Sequence, residues 1–312
     1  MSMRLVAAAA AACLCVAGPT FAAGSATASA TLSGLQIQLI DLNLDDGVAA
    51  SISFAFGPQS NQGSASASWN TSTSSQSASG TFFSDANPWR PGSTDAQTLF
   101  ASATAQLIGN GSASGSTLTA SGTAASPGDT TYDPNYYSYG QPSASFSASA
   151  QTPYYYYGGT FELSPFTVAV FSASVAVQGE ALEGGFITYA WGGTGWQGSV
   201  AAANASLSVS GPSAGGGDGG QNSNDGRSIW VGSYYDSWTG QWSNGFDAQQ
   251  GFVAVSFANV TDASMGGAFQ ASVSVSGSAY GSTAPIPEPG TWAMMLAGLA
   301  VAGSIARRRQ RG

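Results

Sequence analysis

The side chains that usually carry acid–base, nucleophilic or metal chemistry are scarce in this chain. It has no His, and its seven basic residues are all Arg. That removes Ser-His-Asp and Cys-His catalysis, His-ligated zinc and every reaction that needs a lysine amine. Paired carboxylates remain, and two of them suffice in principle for glycoside hydrolysis. Glu180 and Glu183 are the obvious pair, but they stand beside Gly184-Gly185. That neighbourhood reads as a solvated turn, so the expectation is no enzyme activity and no cofactor.

Two acidic clusters invite a calcium reading. Asp41, Asn43, Asp45 and Asp46 precede Gly47, but the glycine comes one residue late for an EF-hand loop. Ile52 stands where the bidentate Glu would be. A hairpin turn joining the flanking strands is the simpler expectation. Asp218 and Asp225 lie in a Gly-rich stretch that no repeat supports as a metal loop, so no metal site is expected. Asn70, Asn110, Asn204 and Asn259 match N-x-Ser/Thr, as chance allows in so Ser-rich a chain.

Aromatic residues form the third group. Tyr132, Tyr136, Tyr137, Tyr139 and Tyr154 to Tyr157 cluster, as do Trp191, Trp196, Trp230, Trp238 and Trp242. Flat rings beside glycine can stack on sugars, or can plug the ends of a thin sandwich. For glycan contact the candidates are Trp238 and Trp242, because Gly240 lies between them.

The elements that would position these residues are strands. Ala271, Val273, Val275, Gly277 and Ala279 alternate with serines, and so do Ala205, Leu207 and Val209. Ala144, Phe146, Ala148 and Ala150 repeat the pattern, and Leu35, Ile37 and Leu39 alternate with glutamines. A period of two means one buried and one wet face, as in antiparallel sheets. From Phe166 to Val177 the apolar parity changes near Val170–Phe171, which predicts a β-bulge there or a strand bending between sheets. Gly211 to Gly226 reads as one long polar loop. Roughly 12 to 14 strands in one domain predict an all-β fold, an antiparallel β-sandwich of jelly-roll type.

Both ends read as processing segments. Arg4, an apolar run from Leu5 to Ala17, and Thr20-Phe21-Ala22 form a signal peptide over residues 1–22, cut after Ala22. Lipidation of Cys13 is the competing reading. Cys13 and Cys15 both fall in this leader, so the body carries no thiol. In the body, residues 23–284, fifteen acidic residues stand against Arg90 and Arg227. A polyanion such as nucleic acid would be repelled.

The other end holds Pro287-Glu288-Pro289, an apolar stretch from Trp292 to Ala306, and Arg307, Arg308, Arg309 and Arg311. Proline forbids continuation of helix or sheet, leaving an accessible linker. The apolar stretch is shorter than the ~20 residues of a usual span. The arginines would stay cytoplasmic. In that order the three parts resemble the PEP-CTERM sorting signal of exosortase substrates in Gram-negative bacteria. Leu39 to Asn43 with Asp46-Gly47 is also similar to an element of such substrates, without naming an activity.

The resemblance implies that Pro287, Glu288 and Pro289 mark the processing site. It implies further that an exosortase removes a single transmembrane sorting helix, about 291–306, with its basic tail 307–311. The expected partners are signal peptidase and exosortase during export, the inner membrane before processing, and exopolysaccharide. The expected product is an exported surface or matrix structural protein of the cell envelope. The alternative is a carbohydrate-binding adhesin that uses the Tyr/Trp loops.

Overall fold

Alternation sends every second side chain of a strand to one face, and in the computed structural model of this chain those apolar faces meet. The structure describes residues 24–54, 62–71, 74–83, 91–109, 115–127, 142–152, 161–188, 194–214 and 219–280. These lie within one compact unit, Ala23–Ser282. Among them there are strands and turns and no helix.

In chain order the strands are β1 (Ser25–Asp41), β2 (Ile52–Phe54), β3 (Gln62–Asn70), β4 (Ser75–Phe83), β5 (Gly92–Gln97) and β6 (Ala101–Ile108). Then come β7 (Thr117–Ala125), β8 (Ser143–Gln151), β9 (Phe161–Leu163), β10 (Thr167–Leu182), β11 (Gly184–Thr188) and β12 (Thr194–Gly198). The last six are β13 (Val200–Gly211), β14 (Gln221–Gly232), β15 (Tyr234–Asp236), β16 (Gln241–Ser243), β17 (Gly245–Asn259) and β18 (Met265–Tyr280).

One sheet runs in the order β17-β10-β1-β7-β6-β5. The other runs β14-β13-β18-β8-β3-β4, with β9 pairing both β18 and β2. All pairings are antiparallel. The sheets stack with β10 over β13 and β1 over β18, while the edge strands β17 and β14 lie side by side. The antiparallel two-sheet packing is therefore present. The strand order does not establish a jelly-roll winding, because β3–β4, β5–β6–β7 and β13–β14 are hairpins that stay within one sheet.

The inward faces form one core that changes character along its length. Much of it is alanine, as at Ala26, Ala28 and Ala30 on β1 and Ala201, Ala203 and Ala205 on β13. Alanine keeps the sheets close but contributes little burial, at about 0.8 kcal/mol per CH₂. Larger side chains concentrate elsewhere. Phe171 of β10 stacks on Phe269 of β18 with centroids 4.4 Å apart, joining the two sheets. Phe161 meets Phe257 edge-on at 5.2 Å. In the alanine-rich part, Phe146 occupies space that two glycines leave open. A Cβ would lie 2.1 Å from its ring at Gly122 and 2.5 Å at Gly277.

The bulge lies on a different strand from the one expected. β10 pairs with β17 in unbroken register from Thr167 to Ala181, and its odd-numbered residues stay buried throughout. Val168 and Val170 are half-buried on the outer face, opposite Ile40 and Gln38. The register shift falls in β1, between Ser33 and Gln36. Gly34 adopts φ 64° there, a conformation that costs glycine no Cβ clash. A parity change in an apolar run thus reflected apolar residues on a half-buried outer face beside the buried one, not an inserted residue.

The polar stretch after β13 is also different from the expected loop. Gln221–Gly232 is strand β14, paired with β13 from Gly211↔Gln221 onward. Asn222, Asn224 and Gly226 are poor strand formers by propensity, but partners on both sides hold them extended.

Candidate functional site

β14 and β17 meet along a seam built by side chains rather than by a strand ladder. The Gln221 amide accepts from Ala258 N at 2.9 Å and donates to Ala258 O at 2.7 Å. It serves β17 as a neighbouring peptide would. Four residues along, Asp225 Oδ2 accepts from Ala254 N at 3.0 Å. Arg227 Nη1 reaches Asp225 Oδ1 at 3.4 Å. Sheet edges with free backbone groups invite pairing with other chains, and this seam occupies Ala254 N and both backbone groups of Ala258 on β17. Asp225 thereby caps a strand edge, while Asp218 lies outside the described residues.

The other acidic cluster is spent on its own backbone. Asp41 Oδ1 accepts from Asn43 N at 3.0 Å, Asn43 Oδ1 from Asp45 N at 3.3 Å, and Asp46 Oδ1 from Val48 N at 2.7 Å. Gly47 follows at φ 72°. These are turn-forming hydrogen bonds of Asx type. The segment does not close a hairpin, because β1 belongs to one sheet and β2 pairs with β9. It carries the chain from one layer to the other. Among the described residues, no group of three His, Cys, Asp or Glu side chains could hold a metal ion.

Glu180 and Glu183 are not placed as a pair in one turn. Glu180 lies within β10, opposite Thr27 and Phe246. Glu183 turns the corner into β11 at φ 45°. Its N–H donates to Asn244 Oδ1 at 2.8 Å, and its carbonyl accepts from the Ser233 hydroxyl. Asn259, one of the N-x-Thr matches, is fully buried and donates to Ser164 O and Ala263 O.

The tryptophan candidates lie on a small ribbon formed by β15 and β16. Trp242 is half-buried opposite Tyr235, with ring centroids 5.6 Å apart. Trp238 stands in the connecting turn, 96% exposed. Asp236 Oδ1 accepts from Trp238 N at 2.8 Å and Thr239 N at 3.4 Å. The hydrogen bond from Trp238 first, then those from Thr239, hold the Asp236 carboxyl below the usual aspartate range. Gly240 closes the turn at φ 70°. The two rings therefore differ: one is free in a braced turn, and the other leans on a tyrosine. Tyr132, Tyr136, Tyr137, Tyr139, Tyr154 to Tyr157 and Trp191 lie outside the described residues.

Ala22, Pro287, Glu288, Pro289, Arg307, Arg308 and Arg309 also lie outside the described residues, and so does the apolar stretch between them. Comparison with known families speaks to most of these. Residues 285–310 match the model of the PEP-CTERM protein-sorting motif. The chain carries a PEP-CTERM sorting motif. The motif implies an exported protein of a Gram-negative bacterium that an exosortase processes. No curated protein and no solved structure matches the chain. The PEP-CTERM match covers the tail alone, so it identifies the delivery route and leaves the sandwich to be read from its own surface.

That surface holds residues which composition had hidden. Trp230, on β14, is 70% exposed while its neighbours Ile229 and Val231 are buried. The sequence groups Trp230 with the other tryptophans and leaves open whether it meets a sugar or plugs the sandwich. Only the inward position of the flanking pair shows that Trp230 points out. Gln221 carried no sequence signal, and Asp225 only that of a metal candidate in a loop, since polar residues among glycines read as loop.

Proposed function

We propose that this protein is a non-enzymatic structural component of the cell surface or exopolysaccharide matrix. One observation carries the reading: rows of uncharged hydroxyls line the outer faces of β18, β8 and β3 in one sheet and of β1 and β7 in the other. On one sheet, Ser274, Ser276 and Ser278 of β18 stand beside Ser149, Ser147 and Ser145 of β8. Those in turn stand beside Ser64, Ser66 and Ser68 of β3. On the other sheet, Thr27, Ser29 and Thr31 of β1 stand beside Thr123, Ser121 and Thr119 of β7. Some hydroxyls pair with one another, as Ser64 with Ser149 at 2.9 Å and Ser68 with Ser145 at 2.8 Å. Each hydroxyl can both donate and accept, so a paired one keeps capacity for a further bond. Such faces suit a hydrated neutral polymer and give a charged one nothing to hold.

In this reading signal peptidase cuts after Ala22 and the apolar stretch holds the chain in the inner membrane. The exosortase then cuts at Pro287-Glu288-Pro289, with Arg307 to Arg309 blocking passage until it does. Intact-mass measurement of the native surface protein tests the route. The expected mass ends near Pro289, and a molecule still carrying Arg311 refutes processing. Glu288→Ala should accumulate as an uncut membrane form.

A second reading, a carbohydrate-binding adhesin, is favoured by the free Trp238 ring in its braced turn. Trp238→Ala should then abolish binding to the target glycan while leaving the thermal midpoint unchanged.

A further inference from the structure

We propose that Trp230 and the hydroxyl face beside it form a binding subsite for a neutral pyranose unit of a polysaccharide chain. The inference rests on the matrix reading above and names the place where polymer is gripped.

Trp230, though exposed, is folded back over Gly232. A Cβ on Gly232 would lie 3.1 Å from its Cη2 and 3.6 Å from its Cζ3. The ring therefore lies along its own strand, over the place that a larger residue at 232 would fill. Across the ladder, Trp230 faces Ala202, and Ala202 faces Ser276. Small partners leave the ring standing above the sheet at one margin of the serine field. Between ring and serines is a shallow depression of about 320 Å³, lined by Trp230, Val200, Ala202, Ser145, Ser276 and Ser278 among others.

The lining divides by chemistry. Trp230, Val200 and Ala202 offer an apolar wall that suits the C–H face of a sugar ring. Ser276 and Ser278 offer hydroxyls that can donate or accept toward the sugar's rim. The lining contains no charged side chain. The body as a whole is strongly acidic, which would repel a uronic-acid polymer. The row Trp230, Ala202, Ser276, Ser147, Ser66 and Ser79 crosses six strands. At about 4.8 Å between strands that is roughly 24 Å of continuous track. A chain of neutral sugars can therefore stack one unit on Trp230 and lay the next over serines.

The test is affinity electrophoresis of the native exported protein through gels containing dextran or galactomannan, with polygalacturonate as the anionic control. The expected result is retardation by at least one neutral polymer and none by polygalacturonate. Trp230→Ala should weaken retardation about tenfold, while Trp230→Phe keeps most of it. Gly232→Val, which displaces the ring without removing it, should act like Trp230→Ala. Thermal midpoints should be unchanged in the Trp230 variants, because the ring lies outside the core. Retardation that survives Trp230→Ala overturns the subsite while leaving the matrix reading in place. Loss with Trp238→Ala alone moves the grip to the ribbon. Absence of retardation by every polymer overturns both readings. A dimer of the parent protein that Trp230→Ala dissociates would show a second copy covering the ring, and would also overturn the subsite.

Discussion

Gly24 and Tyr280 press against each other at one place on the sandwich. A Cβ on Gly24 would lie 2.4 Å from the Tyr280 carbonyl oxygen and 2.6 Å from Ser199 Oγ. Ser126 N donates to the Gly24 carbonyl at 2.8 Å, fixing the backbone there. The first strand starts and the last strand stops at this junction. The sandwich can therefore close with both of its chain ends together, whatever each end is joined to. Gly24→Val should destabilise by about 1–3 kcal/mol through overpacking against backbone that has no room to yield. Urea unfolding should show the midpoint falling with the slope unchanged. An unmoved midpoint would mean that the junction opens at no cost.

The Gln221 seam makes a sharper prediction, because one side chain does two jobs. Gln221→Ala removes both bonds to Ala258 and should cost about 1–2 kcal/mol. Gln221→Glu keeps an acceptor for Ala258 N but gives up the donor to Ala258 O. Native-state hydrogen exchange should show the Ala258 amide losing protection in the alanine variant and keeping more of it in the glutamate one. Equal protection in both variants would mean that β17 is covered by other groups.

In the alanine-rich part of the core, Phe146 is the single large ring among Ala144, Ala148 and Ala150 on its strand face. Phe146→Ala should cost about 3–5 kcal/mol, since neighbouring alanines cannot refill the volume. Gly122→Ala approaches the same contact from the other sheet. It places a methyl into the ring and should cost about 1–3 kcal/mol. The double variant Phe146→Ala with Gly122→Ala should recover part of the loss, because the new methyl then enters a void. Simple additivity in denaturant titrations would rule out direct contact.

Asp236 gives the ribbon a defined pH response. Its carboxyl is held below the usual aspartate range by hydrogen bonds, that from Trp238 N first. A carboxylate with a lower pKa folded than unfolded stabilises wherever it is ionised. That contribution is complete above the unfolded pKa and is lost as pH falls through the folded one. The Trp238 and Thr239 amide shifts should thus follow a transition centred below that of an ordinary aspartate. Asp236→Asn keeps an oxygen acceptor and should remove the acid transition. Asp236→Ala should loosen the turn at every pH. A transition at the ordinary aspartate position would show that the bonds to Trp238 and Thr239 do not form in solution.

Some of this was legible before any coordinates. Period-two alternation is a local property of the chain. The inward positions Ala271, Val273 and Val275, or Ala205, Leu207 and Val209, follow from it and are all buried. The sorting tail is local in the same sense: a Pro-Glu-Pro signpost, an apolar stretch and arginines in order need no fold to be read. Other features depended on neighbours that the sequence does not name. Gln221 to Gly226 has the composition of a loop and becomes strand because β13 and β17 lie on either side of it. The bulge sits at Gly34 rather than in β10, because the register of a pair belongs to both strands. Trp230 and Trp238 carry the same side chain, and in the sequence Gly240 favoured Trp238. The fold places one flat at the margin of a serine field and the other in a turn, because only sheet pairing decides which residues share a surface.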